Sequence, residues 1–241
     1  LKVHHGIRGF LSRRLSREET LGLHLSIGLL LSILLLVAFG TLGRAVDRQG
    51  DVTRFDLHLG EELRDHREAE PAVRKVFVAI TEMGSATVLT TLGVCMALWL
   101  LMRHRQILAL VWAVAQGGGA LLNVLFKDWF ARDRPPFPAA EINEKSYSFP
   151  SGHSMGALVA YGLIAYYLVL TLRNRSARIA SVTFLFLLVL AVGFSRIYLG
   201  AHWFSDVLGG FVVGAAWLAA CISAIEVGRR RALRQRSAHT R

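Results

Sequence analysis

Long apolar runs separated by short polar connections dominate the chain. They recur at about His24–Leu42, Ala86–Met102, Gln106–Phe126, Met155–Leu172, Ile179–Phe194 and Val207–Val227. Each approaches the ~20 mainly apolar residues that a membrane-crossing helix requires, so six spans are expected. Ile179–Phe194 and Ala86–Met102 are the shortest. A different pattern lies between the first two runs. Val52, Phe55, Leu59 and Leu63 repeat at helical spacing, as do Val73, Phe77, Ile80 and Met83, with Pro71 between the two sets. This predicts two amphipathic helices lying in the membrane interface, the first charged on its other face. They suit either a cover over a lipid entrance or simple packing. No internal repeat or low-complexity tract is visible. The expected fold is all-α: a six-transmembrane-helix bundle forming one domain over 1–241, with amphipathic interfacial helices between spans 1 and 2.

Charge refines this picture. In a soluble protein a net charge of +11 would suggest nucleic acid. Here the positive residues gather in the N-terminal tail (Lys2, Arg8, Arg13, Arg14, Arg17), at Arg103 and Arg105, at Arg173, Arg175 and Arg178, and in the 228–241 tail. Six spans place these four regions on one side, which the positive-inside rule makes cytoplasmic. Both termini are therefore expected in the cytoplasm. Membrane lipids, not nucleic acid, are the expected surroundings, with the basic tails near anionic headgroups. The first span is expected to be retained, because its apolar run is longer than a signal h-region and lacks a convincing cleavage site. His24 reads as an interfacial residue at the cytoplasmic end of that span. Cys95 and Cys221 both fall within spans and read as small buried apolar residues.

Chemistry gathers on the opposite side, in three stretches. The third run leaves the membrane as FKDWFARDRPPFP, with Lys127, Arg132 and Arg134 on the face that should be poor in positive charge, and with Trp129 and Phe130 as interfacial anchors. Next comes SFPSGHS: Pro150 disfavours a helix, Ser151 is a good N-cap and Gly152 permits close approach to the backbone. The helix start that follows attracts anions, and His153 is placed to give a proton to a departing group. The third stretch, FSRIYLGAHWFSD, carries Ser195, Arg196, His202 and Asp206. His202 and Asp206 are four apart, hence on one helix face, where a carboxylate fixes the ring tautomer and leaves the other nitrogen free to attack. Taken singly, each stretch also fits a plainer description: a capped helix, a helix-start ion pair, an arginine reaching to headgroups. Gln116–Gly119 and Asn123 in the third span read as helix packing in preference to a substrate groove, and Gly209, Gly210 and Gly214 read as close packing in the sixth.

The three stretches together resemble the type 2 phosphatidic acid phosphatase (PAP2) superfamily. The pattern Lys-x6-Arg-Pro (KDWFARDRP), PSGH, and Ser-Arg-x5-His-x3-Asp (SRIYLGAHWFSD) are complete and in order. The resemblance implies that His202 is the nucleophile forming a phosphohistidine, Asp206 orients it, and His153 is the general acid. It implies that Lys127, Arg134 and Arg196 hold the phosphate, helped by Ser151 and the Gly152 amide. No metal or other cofactor is implied. Arg132 and Asp133 fall at unconstrained positions and Ser195 is expected to be structural. The implied activity is hydrolysis of a lipid phosphate or diphosphate at the extracytoplasmic face, with undecaprenyl diphosphate, phosphatidylglycerophosphate and phosphatidic acid as candidates. A phosphotransferase would share the intermediate. A haloperoxidase branch shares the motifs but is soluble, and an anion or lipid transporter would need none of the chemistry.

Overall fold

The computed structural model describes residues 20–48 and 50–239. Among these there are eight helices and no strand: α1 (Thr20–Asp47), α2 (Asp51–Ala69), α3 (Pro71–Glu82), α4 (Ala86–Met102), α5 (Gln106–Phe130), α6 (Gly152–Thr171), α7 (Arg175–Tyr198) and α8 (Phe204–His239). The basic segment 1–19, the side chain of His24 and those of the C-terminal arginines lie outside the described residues.

Among the described residues six stretches are long and apolar enough to cross a membrane: Gly28–Val46, Pro71–Met102, Gln106–Phe130, Gly152–Thr171, Arg175–Tyr198 and Phe204–Val227. Their outer faces carry large apolar side chains, among them Ile107, Leu110 and Phe184. Such a belt is stable against hydrocarbon, where a helix satisfies its backbone groups within its own segment. The chain is an integral membrane protein. Helix α6 lies at the centre, packed on α5, α7 and α8, while α1 runs along α8. Along that seam Ser32 Oγ donates to Ala216 O at 3.1 Å. Gly210 on α8 sits so close to α6 that a Cβ there would lie 2.6 Å from Ser151 O. The glycines of α8 are packing residues, as expected.

The region before the second span differs from the sequence reading. Pro71–Met102 is one apolar stretch of 32 residues, built from α3 and α4 joined by a tight turn at Met83–Ser85. Phe77 does not face lipid alone; its ring packs on Tyr198 and Phe194 of α7, with centroids 4.3 and 5.5 Å away. Helix α2 keeps its apolar stripe partly buried but adds two buried charges to the same face. Its buried residues are Asp56, Gly60 and Arg67, whereas Phe55 is 51% exposed. Asp56 and Arg67 share the inward face with the partly buried Val52, Leu59 and Leu63, while most of the other charged residues of the helix are exposed. Arg67 donates to Tyr198 O and Phe137 O, both at 2.8 Å.

Three smaller expectations also change. Cys95 is exposed and only Cys221 is buried. Phe130 is no interfacial anchor but packs on Phe39 and Phe149, whereas Trp129 is 83% exposed. The glycine run of α5 divides its labour: Gly118 abuts Trp217, but nothing lies within 4 Å of a Cβ built on Gly117, which borders a cavity.

Candidate active site

Antiparallel connection of α4 through α8 brings the α5–α6 loop and the α7–α8 turn to one end of the bundle. The Arg103–Arg105 and Arg173–Arg175 turns lie at the other. Helix α5 stops at Phe130, where Ala131 adopts a left-handed conformation (φ +44°) and its N–H returns to Lys127 O at 2.9 Å. A side chain disfavours that conformation, yet it sends Arg132 and Arg134 to different partners. Ser151 caps α6: its Oγ accepts from Ser154 N at 3.4 Å and Ser154 Oγ at 3.1 Å. Asn123 Nδ2 on α5 holds the same turn by donating to Pro150 O at 3.2 Å. In the α7–α8 turn Gly200 has φ +65°, and a Cβ there would meet Phe137 O at 2.5 Å, so only glycine passes. This tight turn directs His202 back under Arg196, with Ala201 N and His202 N both bonded to Arg196 O.

His202 is 2% exposed and Asp206 fully buried. Asp206 Oδ2 accepts from Trp203 N at 2.9 Å and faces His202 Nδ1 at 3.4 Å. A proton on Nδ1 makes Nε2 the acceptor, and Arg134 Nη1, 3.2 Å away, donates to it. Burial, with Arg196 and Arg134 beside it, holds the His202 pKa well below its ordinary value of 6.5, against the opposing pull of Glu144. The ring is therefore uncharged at neutral pH, the state in which a nitrogen can attack.

Both arginines of the site pair with Glu144, a residue that no sequence motif singles out. Arg134 Nη2 lies 2.7 Å from Glu144 Oε2, Arg196 Nη2 pairs with Oε1, and His202 Nε2 is 3.8 Å from Oε2. Arg196 is 1% exposed and does not reach toward headgroups; Nη1 donates to Thr81 Oγ1 at 2.8 Å, and Nε is buried without a hydrogen-bond partner. Lys127 Nζ donates to Ser146 Oγ at 3.0 Å and to Tyr147 O. Burial alone would raise the Glu144 pKa, but the neighbouring positive charge, Arg196 above all and Arg134 with it, overcomes this and lowers the value from 4.5 to about 2. With the folded value depressed, the pairing is complete above the ordinary value and is lost only as pH falls through about 2.

Of the residues singled out in the sequence, Lys127, Arg134, Arg196, His153 and His202 share this end of the bundle. Asp206 stands directly behind His202. Gly152 and His153 border a cavity together with Lys127, Glu144 and Ser146. Ser151 is fully buried, its hydroxyl engaged in the cap. Ser195 is structural, its Oγ donating to Val192 O at 2.6 Å. The cavity, of about 630 Å³, continues from this polar mouth between α4, α5 and α6 past Asn123, Gln116 and Gly117 to Trp112. From Lys127 to Trp112 is about 22 Å along the helix at ~1.5 Å per residue. Among the described residues no group of three or more His, Cys, Asp or Glu is placed to hold a metal ion.

Residues 106–230, which contain all three stretches, match the PAP2 superfamily. The chain belongs to the PAP2 superfamily. Among PAP2 relatives, phosphatidylglycerophosphatase B of Bacillus subtilis (strain 168) is 38% identical over 146 residues, 60% of this chain and 71% of that protein. The putative undecaprenyl-diphosphatase YbjG of Escherichia coli (strain K12) is 30% identical over 142 residues, 57% of this chain and 65% of that one. The crystal structure of a transmembrane PAP2-type phosphatidylglycerolphosphate phosphatase from Bacillus subtilis superposes with a TM-score of 0.74. It is 31% identical and covers 81% of this chain and 96% of its own. The protein is a PAP2-type lipid phosphatase built into a membrane.

Proposed function

We propose that the protein hydrolyses a lipid phosphate or diphosphate at the extracytoplasmic face, through a phosphohistidine on His202 and without a metal ion. The observation that carries this reading is the meeting of Arg134, Arg196 and His202 at the Glu144 carboxylate, with Lys127 and His153 lining the same mouth of an apolar cavity. Such a pocket suits a tetrahedral anion, because phosphoryl transfer is catalysed mostly by positioning and by countering charge on three oxygens. The substrate phosphate would take the place of the Glu144 carboxylate while its tail enters the cavity. The uncommitted Nε of Arg196 leaves one more donor for it.

In the first step the Nε2 lone pair of His202 bonds to phosphorus and the bond to the lipid oxygen breaks. The electron pair stays on that oxygen, which takes a proton from His153. Asp206, accepting from Nδ1, balances the positive charge that appears on the ring. In the second step water attacks phosphorus, His153 takes its proton, and the P–N electron pair returns to His202. Arginines at 103, 105, 173, 175 and 178, at the end opposite the site, support an outward-facing pocket.

The test is phosphate release from a panel of phosphatidic acid, phosphatidylglycerophosphate and undecaprenyl diphosphate in detergent, with and without EDTA. Turnover of at least one substrate, unchanged by EDTA, is expected; loss with EDTA and recovery with Mg²⁺ would overturn the metal-free reading. Glu144→Gln gives a second check. Removing the resident negative charge should tighten inhibition by vanadate about tenfold, or ~1.4 kcal/mol. Unchanged or weaker inhibition would show that Glu144 does not compete for the phosphate position.

A further inference from the structure

Helix α2 lies outside the residues that match the family, yet one of its side chains enters the site from behind. Asp56 is 2% exposed, and its carboxylate is fully engaged. Oδ1 accepts from Ser205 N at 3.0 Å, and Oδ2 accepts from Arg132 Nη2 at 2.8 Å and from Ser205 Oγ. Ser205 N is one of the donors left open at the start of α8, so Asp56 caps that helix from another element. Arg132 bridges two buried carboxylates: Nη1 reaches Asp206 Oδ1 at 2.5 Å and Ser205 Oγ at 2.7 Å, while the guanidinium lies 5.5 Å from the Trp203 ring centroid. Arg132 thus occupies one oxygen of Asp206 and leaves the other to Trp203 N and the His202 ring.

We infer that Asp56 and Arg132 are positioning residues that set the orientation and charge of Asp206, making α2 part of the catalytic apparatus. The inference rests on the reading of His202 as nucleophile. Asp56, Arg132 and Asp206 together carry one net negative charge, which is the counter-charge a ring becoming positive in the first step requires. A charge-neutral replacement at Asp56 cancels it. The cations that face the phosphate have other partners, so substrate binding is left alone.

The experiment is a double-mutant cycle on kcat and KM in detergent, with active sites counted by vanadate binding. Asp56→Asn, which keeps shape and removes charge, should lower kcat per vanadate-binding site roughly 10- to 50-fold with KM within about twofold, the size of a lost charge-assisted contact. In an Asp206→Asn background the same change should cost less than about twofold, since its route is already cut. Arg132→Gln makes the cluster more negative but removes the group that holds Asp206 Oδ1, so it should also lower kcat, through lost orientation, and Arg132→Lys should recover part of the loss. If Asp56→Asn does not yield folded protein, the Arg132→Gln cycle decides in its place. Fully additive losses, or a loss confined to the number of vanadate-binding sites, would overturn the proposal. The separate control His202→Ala keeps the two readings apart: activity there sinks the nucleophile, whereas an inactive His202→Ala beside an additive cycle sinks only the role of α2.

Discussion

His202→Ala should lower kcat by at least about 10⁴-fold, because the covalent step has no other nucleophile to use. The anion pocket should survive. Lys127, Arg134 and Arg196 hold their other partners at Ser146, Ala201 and Thr81, so vanadate should still bind within a few-fold of the parent. The ring is buried, and its removal leaves a void of the kind that destabilises by a few kcal/mol. His202→Gln, closer in size, should therefore be equally inactive and better folded. Phosphate release measured beside vanadate binding separates a dead site from an absent one. A residual rate above about one hundredth of the parent would contradict the assignment.

His153→Ala should show a loss that depends on the leaving group. A lipid alkoxide departs poorly without a proton, so on a lipid phosphate the loss should fall in the 10²–10⁴ range typical of a positioned acid. On an aryl phosphate such as p-nitrophenyl phosphate, whose oxygen leaves readily as the anion, the loss should be under about tenfold. His153 is suited to the role by place: it stands in the first turn of α6, beside Gly84 and bordering the cavity with Lys127 and Glu144. The negative charge of a bound phosphate favours its protonated form. Equal losses on both substrates would remove His153 from the acid role and leave it a structural part of the pocket.

The membrane plan was legible because a span must be continuously apolar and because alternation of sides follows from counting. The same counting predicted that Lys127, His153 and His202 end on one face, far apart as they are in the chain. What the hydrophobic pattern concealed is polar burial. Asp56 and Arg67 look solvent-facing in a sequence, since charged residues seldom go inside unpaired; here each has partners on a neighbouring segment and goes inside beside Val52 and Leu63 of the apolar stripe. Arg132 sits at a position the family pattern leaves free, so only the contact with Asp206 reveals its importance. Glu144 lay in a loop without periodicity, where spacing carries no information about direction. Gly117 shows the limit of reading small residues as packing: the same missing side chain that lets Gly118 meet Trp217 also opens the cavity wall.

The reading stands or falls on where the phosphoryl group resides between the two steps. Rapid quenching of the enzyme with a ³²P-labelled lipid phosphate, followed by peptide mapping, addresses that directly. An acid-labile, base-stable label on the peptide containing His202, formed within one turnover and missing from His202→Ala, is the predicted result. Steady turnover with no label on any residue, or with the label on His153, would contradict it.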